Sequence, residues 1–153
     1  MLHSDNGTEF INQECRDLCN SLGIIHQTSY TYTPQQNGRV ERKHRHLLNV
    51  ARALLFQASL SIKFWGDAIL MATYLINKTP TKILNWQTPF QKLYGRLPQY
   101  GHLRTFGSLY YATDITPHKS KFHSRALKCI LIRHAMHQKA YKLFDFDHQS
   151  VIV

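Results

Sequence analysis

Carboxylates are scarce in this sequence. Nine Asp and Glu stand against nineteen Lys and Arg, a formal net charge of +10 before any of the ten histidines is protonated. That imbalance does not choose a fold, but it favours polyanionic partners, nucleic acid first and acidic membrane second. Long apolar runs are missing as well. The longest uncharged apolar stretch, Ala68 to Ile76, is far short of the roughly 18–20 residues that a membrane span needs. Cysteine is limited to Cys15, Cys19 and Cys129. An odd count without secreted-scaffold spacing points to a reducing compartment. Cys15 and Cys19 share a helical face, but two ligands do not make a zinc site and no paired His motif stands nearby. Both are expected to be packed thiols. Met1 to Asp5 has neither the charged nor the apolar region of a targeting peptide. Internal repeats and low-complexity tracts are also lacking.

What is present suffices for a core. Hydrophobic residues make up 43% and aromatics 12%, which argues against a disordered chain. A length of 153 residues suits one average domain, or a partial one with a small companion. Met1-Leu2 reads as the end of a strand, followed at once by Asp5-Asn6-Gly7 turn chemistry. Ile11, Cys15, Leu18, Cys19 and Leu22 recur at helical spacing, with Gly23 as the C-cap glycine. Ile24 to Thr28 is a short strand, and Ser29 to Asn37 is a loop. A long helix is expected from Gly38 to Ala58, with Val40, Leu47, Ala51, Leu54, Leu55 and Ala58 on one stripe. Arg39, Arg42, Arg45, His46, Asn49 and Arg52 form another arc, and Glu41 falls at the border between core and solvent.

A second helix is expected from Ser61 to Asn77, burying Trp65, Ala68, Ile69, Ala72, Leu75 and Ile76 and ended by Pro80. Pro89 opens a short helix that Gly95 closes. Beyond Pro98 the pattern changes to short strands at Leu109–Ala112, Leu127–Ile132, Ala140–Phe144 and Val151–Val153. They suit a small antiparallel sheet or partial barrel. From Ile115 to Phe144 there are seven Lys and Arg and no acid, a basic surface or a merely solvated one.

Asp5 and Glu41 are separated by 35 residues. Taken singly, each has a plain explanation: an Asx-turn for Asp5, and a surface ion pair with Arg45 for Glu41. Taken together, they are the kind of carboxylate pair, drawn from separate elements, that converges on two Mg²⁺ or Mn²⁺ ions in phosphoryl transfer. Glu41 sits in a helical first turn, whose positive partial charge suits an anionic side chain. Arg42, Lys43 and Arg45 could hold a DNA backbone.

Four groups of residues carry a resemblance: Ser4-Asp5-Asn6-Gly7-Thr8-Glu9-Phe10, Gly23-Ile24-Ile25-His26-Gln27-Thr28-Ser29, Tyr32-Thr33-Pro34-Gln35-Gln36-Asn37-Gly38 and Glu41-Arg42-Lys43-His44-Arg45. In this order they resemble the integrase core of copia-type LTR retrotransposons. Phe64-Trp65, Tyr74 to Pro80, Thr88-Pro89-Phe90 and Leu103 to Gly107 extend the likeness over nearly the whole chain. The resemblance implies an α/β chain: the C-terminal portion of an RNase H-like integrase core at 1–96, followed by an SH3-like β module at 97–153. It also implies metal-dependent DNA strand transfer in the nucleus, with Asp5 and Glu41 as catalytic metal ligands. Gln36, Asn37, Arg39, Arg42, Lys43 and Arg45 are the implied nucleic-acid contacts. The expected partners are element and target DNA and further integrase subunits, with no membrane and no small-molecule substrate.

The family's first aspartate and its zinc-binding His/Cys module lie upstream of the matching motifs, so no residue here is assigned to either. The isolated chain is therefore expected to lack strand-transfer activity. A non-catalytic nucleic-acid-binding role is the alternative. Arg133-His134 stands where the family has a Gly-aromatic pair, and Ala140 replaces a usual Gly.

Overall fold

The computed structural model describes residues 1–30, 38–115, 122, 124–135 and 140–153. The chain divides into two compact units, 1–46 and 47–153. The first contains β1 (Leu2–Ser4), α1 (Gln13–Ser21), β2 (His26–Thr28) and the start of α2 (Gly38–Gln57). β1 and β2 pair in parallel, in the register Leu2 to His26, His3 to Gln27 and Ser4 to Thr28. A parallel pair needs a crossover, and α1 supplies it. Asn12 starts that helix by accepting the Cys15 backbone N–H at 2.7 Å. Gly23, at φ +62°, takes the left-handed position that ends it.

In the second unit, α2 buries Ala51 and Leu55 in a core shared with Phe64, Met71, Ala72, Phe106, Leu131 and Phe144. α3 spans Trp65–Lys78 and α4 spans Pro89–Tyr94. β3 (Leu109–Thr113), β4 (Ala126–His134), β5 (Tyr141–Asp145) and β6 (Ser150–Ile152) form an antiparallel sheet in chain order. β4 is buried continuously from Cys129 to Ile132, without the alternation of a half-exposed strand, because α3 packs against it. The apolar run Cys129-Ile130-Leu131-Ile132 is the sequence signature of a strand buried on both faces.

Two expectations need correction here. The second helix does not run unbroken from Ser61: a 3-10 turn at Ile62–Phe64 precedes α3. The tighter winding of that turn shifts the phase of the inward positions. Phe64 is therefore buried and sits edge-on to Phe144, with ring centroids 5.0 Å apart, whereas Trp65 is 59% exposed. Secondly, Arg133 is more than a departure from a family pattern. Its Nε donates to Asp67 Oδ1 on α3 at 2.9 Å, and Lys142 Nζ lies 3.5 Å from the same oxygen. The β-bulge between Leu131 and Arg133 re-aims the strand at that point.

Gly107 holds the junction before β3. Its N–H donates to the Leu131 carbonyl at 2.7 Å, and the Leu131 N–H donates to the Ser108 carbonyl at 2.9 Å. Its φ is +78°, and an added Cβ would lie 2.4 Å from the Ala58 Cβ. Gly107→Ala is expected to lower unfolding free energy by about 1–3 kcal/mol, from overpacking and left-handed strain together. Urea denaturation checks this, and an unchanged midpoint would refute it.

At the end of β5, Asp145 is fully buried and lies 2.6 Å from His148 Nδ1, while its Oδ1 accepts the Asp147 N–H at 2.9 Å. The hydrogen bond from His148 is the main cause that holds the Asp145 carboxyl below its usual range, and the same bond raises His148. The Asp145 contribution is present above the ordinary carboxylate pKa of about 3.9 and is lost as pH falls through the depressed value. That of His148 is complete below about pH 6.5 and is lost as pH rises through the raised value. In thermal melts, the parent chain should therefore lose more stability than His148→Gln as pH rises from about 6 to 9. Parallel pH profiles for the two would contradict the pairing.

Candidate metal and nucleic-acid site

The β1–β2 ladder sets the position of Asp5. At its carboxyl end the Ser4 carbonyl accepts both the Ser29 N–H at 3.0 Å and the Ser29 hydroxyl at 3.2 Å. The Asn6 amide reaches across to the Ser29 carbonyl at 2.9 Å. Asp5 stands between these two anchors, at the strand end where parallel sheets present ligand sites. Its Oδ1 accepts the Gly7 N–H at 3.1 Å, an Asx-turn. Turn and ligand roles are compatible, since a carboxylate has further lone pairs. The side chain is exposed.

Glu41 lies in the first turn of α2, as the sequence indicates, but not at a core border. Residues 39–46 are all exposed, including Val40 at 50%, and burial on this helix begins at Leu47. The reason is composition: Val40 is the one aliphatic residue in that octad, too little apolar surface to hold a packed face. No ion pair joins Glu41 to Arg45 among the described residues. Arg39, Arg42, Lys43 and Arg45 are exposed on the same turns. Gln36 and Asn37 lie outside the described residues. Asp5 and Glu41 thus occupy separate elements of one compact unit, each open to solvent and neither neutralised by a cation among the described residues. Oxygen donors of this kind fit a hard divalent cation.

A third group was not foreseen. Cys19 is buried and Cys15 half-buried, but they do not pack alone. One ligand atom each from Cys15, Cys19 and His26 lies within 4.8 Å of the other two. Burial, with the Cys15 thiol next in effect, pushes the Cys19 thiol up. The sequence carries a signal for the cysteines in their spacing of four. The nearness of His26 follows only once β1 and β2 are known to be parallel, with α1 folded back across them.

Residues 108–153 match the retroviral polymerase SH3-like domain, the region of β3 to β6. Over 140 residues the chain is 40% identical to the retrovirus-related Pol polyprotein from transposon RE2 of Arabidopsis thaliana, which covers 92% of this chain and 10% of that protein. It is 34% identical over 151 residues to the one from transposon TNT 1-94 of Nicotiana tabacum, covering 99% of this chain and 11% of that protein. The chain spans about a tenth of the length of the curated relatives it matches. A chain in the cryoEM structure of the simian T-cell lymphotropic virus intasome with PP2A regulatory subunit B56 gamma shares the fold. Its TM-score is 0.51 at 20% identity, over 98% of this chain and 54% of that one. Among the described residues no helix is long and apolar enough to cross a membrane. With its mixed α/β fold, the chain belongs to the copia-type retrovirus-related Pol polyproteins, and residues 108–153 are their SH3-like domain.

Proposed function

We propose that these residues serve DNA integration, as part of an integrase that joins element ends to target DNA by strand transfer, with Asp5 and Glu41 as catalytic metal ligands. The observation that carries this is the setting of Asp5: an exposed carboxylate, fixed at the carboxyl end of a parallel ladder, with 35 residues between it and Glu41 in a helical first turn. Two Mg²⁺ or Mn²⁺ ions bound there would lower the pKa of the attacking hydroxyl and offset charge on the phosphodiester. The chain's own work is positioning. The Gly7 N–H holds one Asp5 oxygen, and the Ser4–Ser29 and Asn6–Ser29 bonds keep the turn from swinging.

Arg39, Arg42, Lys43 and Arg45 form an exposed basic helix start that suits the phosphate backbone, and the family pattern adds Gln36 and Asn37. The core is assigned to 1–96 and the SH3-like module, with its flank, to 97–153. The partners are DNA and further integrase subunits, and the place of action is the nucleus.

The decisive test is DNA joining by the polyprotein that carries this segment, in Mg²⁺ or Mn²⁺. Asp5→Asn and Glu41→Gln should each lower joined product by at least about 100-fold, since each removes a ligand of the charge-stabilising site. Asn keeps an acceptor for the Gly7 N–H, so the thermal midpoint of Asp5→Asn should stay at the parent value. Joining that survives either substitution would defeat the assignment. DNA binding has its own signature. Affinity measured by anisotropy should fall linearly on a log–log plot against salt, and Arg42→Gln and Lys43→Gln should each reduce the slope by about 1. A salt-independent affinity would exclude phosphate-dominated binding.

A further inference from the structure

The thiols and imidazole of the first unit form a group with a chemistry of its own. Cys15 and Cys19 lie one helical turn apart on α1, and the crossover brings His26 at the start of β2 to the same place. We propose that Cys15, Cys19 and His26 bind one Zn²⁺ ion, with a water in the fourth position.

The mutual separation of up to 4.8 Å is close to what such a site requires. With Zn–S of about 2.3 Å and Zn–N of about 2.0–2.1 Å, neighbouring tetrahedral ligands sit about 3.4–3.8 Å apart. Closing the difference takes about 1 Å, within the reach of a cysteine rotamer change.

The hydrogen bonds around His26 prepare the ring for a metal. Ser4 Oγ lies 2.8 Å from His26 Nε2 and donates its own proton to the Asp5 carbonyl at 2.9 Å. With that proton engaged, Oγ can accept from Nε2–H, and the Nδ1 lone pair is then available to a metal. This is the arrangement metal-bound histidines show: one ring nitrogen held by a hydrogen bond, the other on the metal. A packing role accounts for the burial of Cys19, but not for an imidazole held through Nε2 beside two sulfurs.

Ligand type selects the ion. Two thiolates and an imidazole favour zinc over Mg²⁺ or Mn²⁺, which prefer oxygen. Among the described residues no further Cys, His, Asp or Glu joins the group. The cleft beside it, about 710 Å³, is lined by Cys19 and His26 together with polar Arg16 and Asn20 and apolar Phe10 and Ile25 among others, and gives room for the water. Three protein ligands and an open position make an exchangeable site rather than a closed structural one.

The test uses Co²⁺ as a spectroscopic probe on the full 153-residue chain under phosphine reductant. One equivalent should give a thiolate-to-cobalt charge-transfer band and strong tetrahedral d–d absorption, both bleached by Zn²⁺. Cys15→Ser and Cys19→Ser should weaken the band, and His26→Gln should shift the d–d spectrum, with circular dichroism confirming that each variant folds. Ser4→Ala, a positioning change, should lower Zn²⁺ affinity by about 10–100-fold. X-ray absorption of the zinc-loaded parent chain decides the matter without any variant: two sulfurs at about 2.3 Å and a nitrogen at about 2.0–2.1 Å are expected. An all-oxygen or nitrogen shell, a band of parent intensity in Cys19→Ser, or a Cys15–Cys19 disulfide that forms in place of metal binding would overturn the site. Zinc binding should persist in Asp5→Asn, so failure here and failure of the integration role are separable.

Discussion

The parallel ladder between β1 and β2 is the constraint that places both Asp5 and the Cys15, Cys19 and His26 group in the first unit. Parallel strands cannot be joined by a tight turn, so the chain must cross over through α1. That crossover fixes what lies at each end of the ladder. At the carboxyl end it exposes Asp5; at the entry to β2 it brings His26 beside the thiols of α1. One residue serves both ends of this arrangement. The carbonyl of Ser4 takes two bonds from Ser29, while its hydroxyl connects the His26 ring to the Asp5 carbonyl. Ser4 is itself buried, so the loss of its hydroxyl would leave polar neighbours without a partner in a place water reaches poorly.

The second unit is held by different means. Its core is apolar and continuous, running from Ala51 and Leu55 through Met71 to Leu131 and Phe144. Two of its carboxylates show how polar groups are accommodated. Asp67 on α3 faces Arg133 and Lys142 on adjacent strands, so one carboxylate answers two cations at the helix–sheet seam. The three side chains are roughly one-fifth to one-quarter exposed, where desolvation limits the net gain. The contact therefore sets how the seam aligns more than how firmly it holds. Asp145 is the stricter case, since a fully buried carboxylate depends on the hydrogen bonds that surround it.

Much of this was legible in the chain. Helical spacing located α1 and α2, Pro89 and Gly95 bounded α4, and β-branched and aromatic runs marked β3 to β6. The failures have specific physical causes. Periodicity puts Val40 on the core stripe and Glu41 at its border, because it extends a stripe without asking whether enough apolar surface exists to bury it. Trp65 was assigned inward because a helical wheel assumes one winding, and the 3-10 turn at Ile62–Phe64 has another. His26 was missed because its neighbours are 7 and 11 residues away in sequence, and strand direction alone brings them together. Arg133 looked like a lost glycine until α3 supplied Asp67.

The two sets of donor side chains in the first unit suit different ions. Asp5 and Glu41 offer oxygen alone, which suits small hard cations that keep part of their water. Cys15, Cys19 and His26 offer sulfur and nitrogen, which those cations bind poorly and zinc binds well. Ser4 nevertheless connects them. A metal on His26 makes the Nε2–H a better donor to Ser4 Oγ, and a hydroxyl that accepts more strongly also donates more strongly to the Asp5 carbonyl. Zinc would therefore stiffen the turn that carries the Asp5 carboxylate without contributing an atom to it. The Asp5 side chain itself stays anchored through Gly7, so the effect is on how narrowly the carboxylate is positioned, and not on its charge. In the role proposed for Asp5 a metal-ligating carboxylate tolerates little displacement, so a small gain in order at Ser4 is worth most at the residue that follows it.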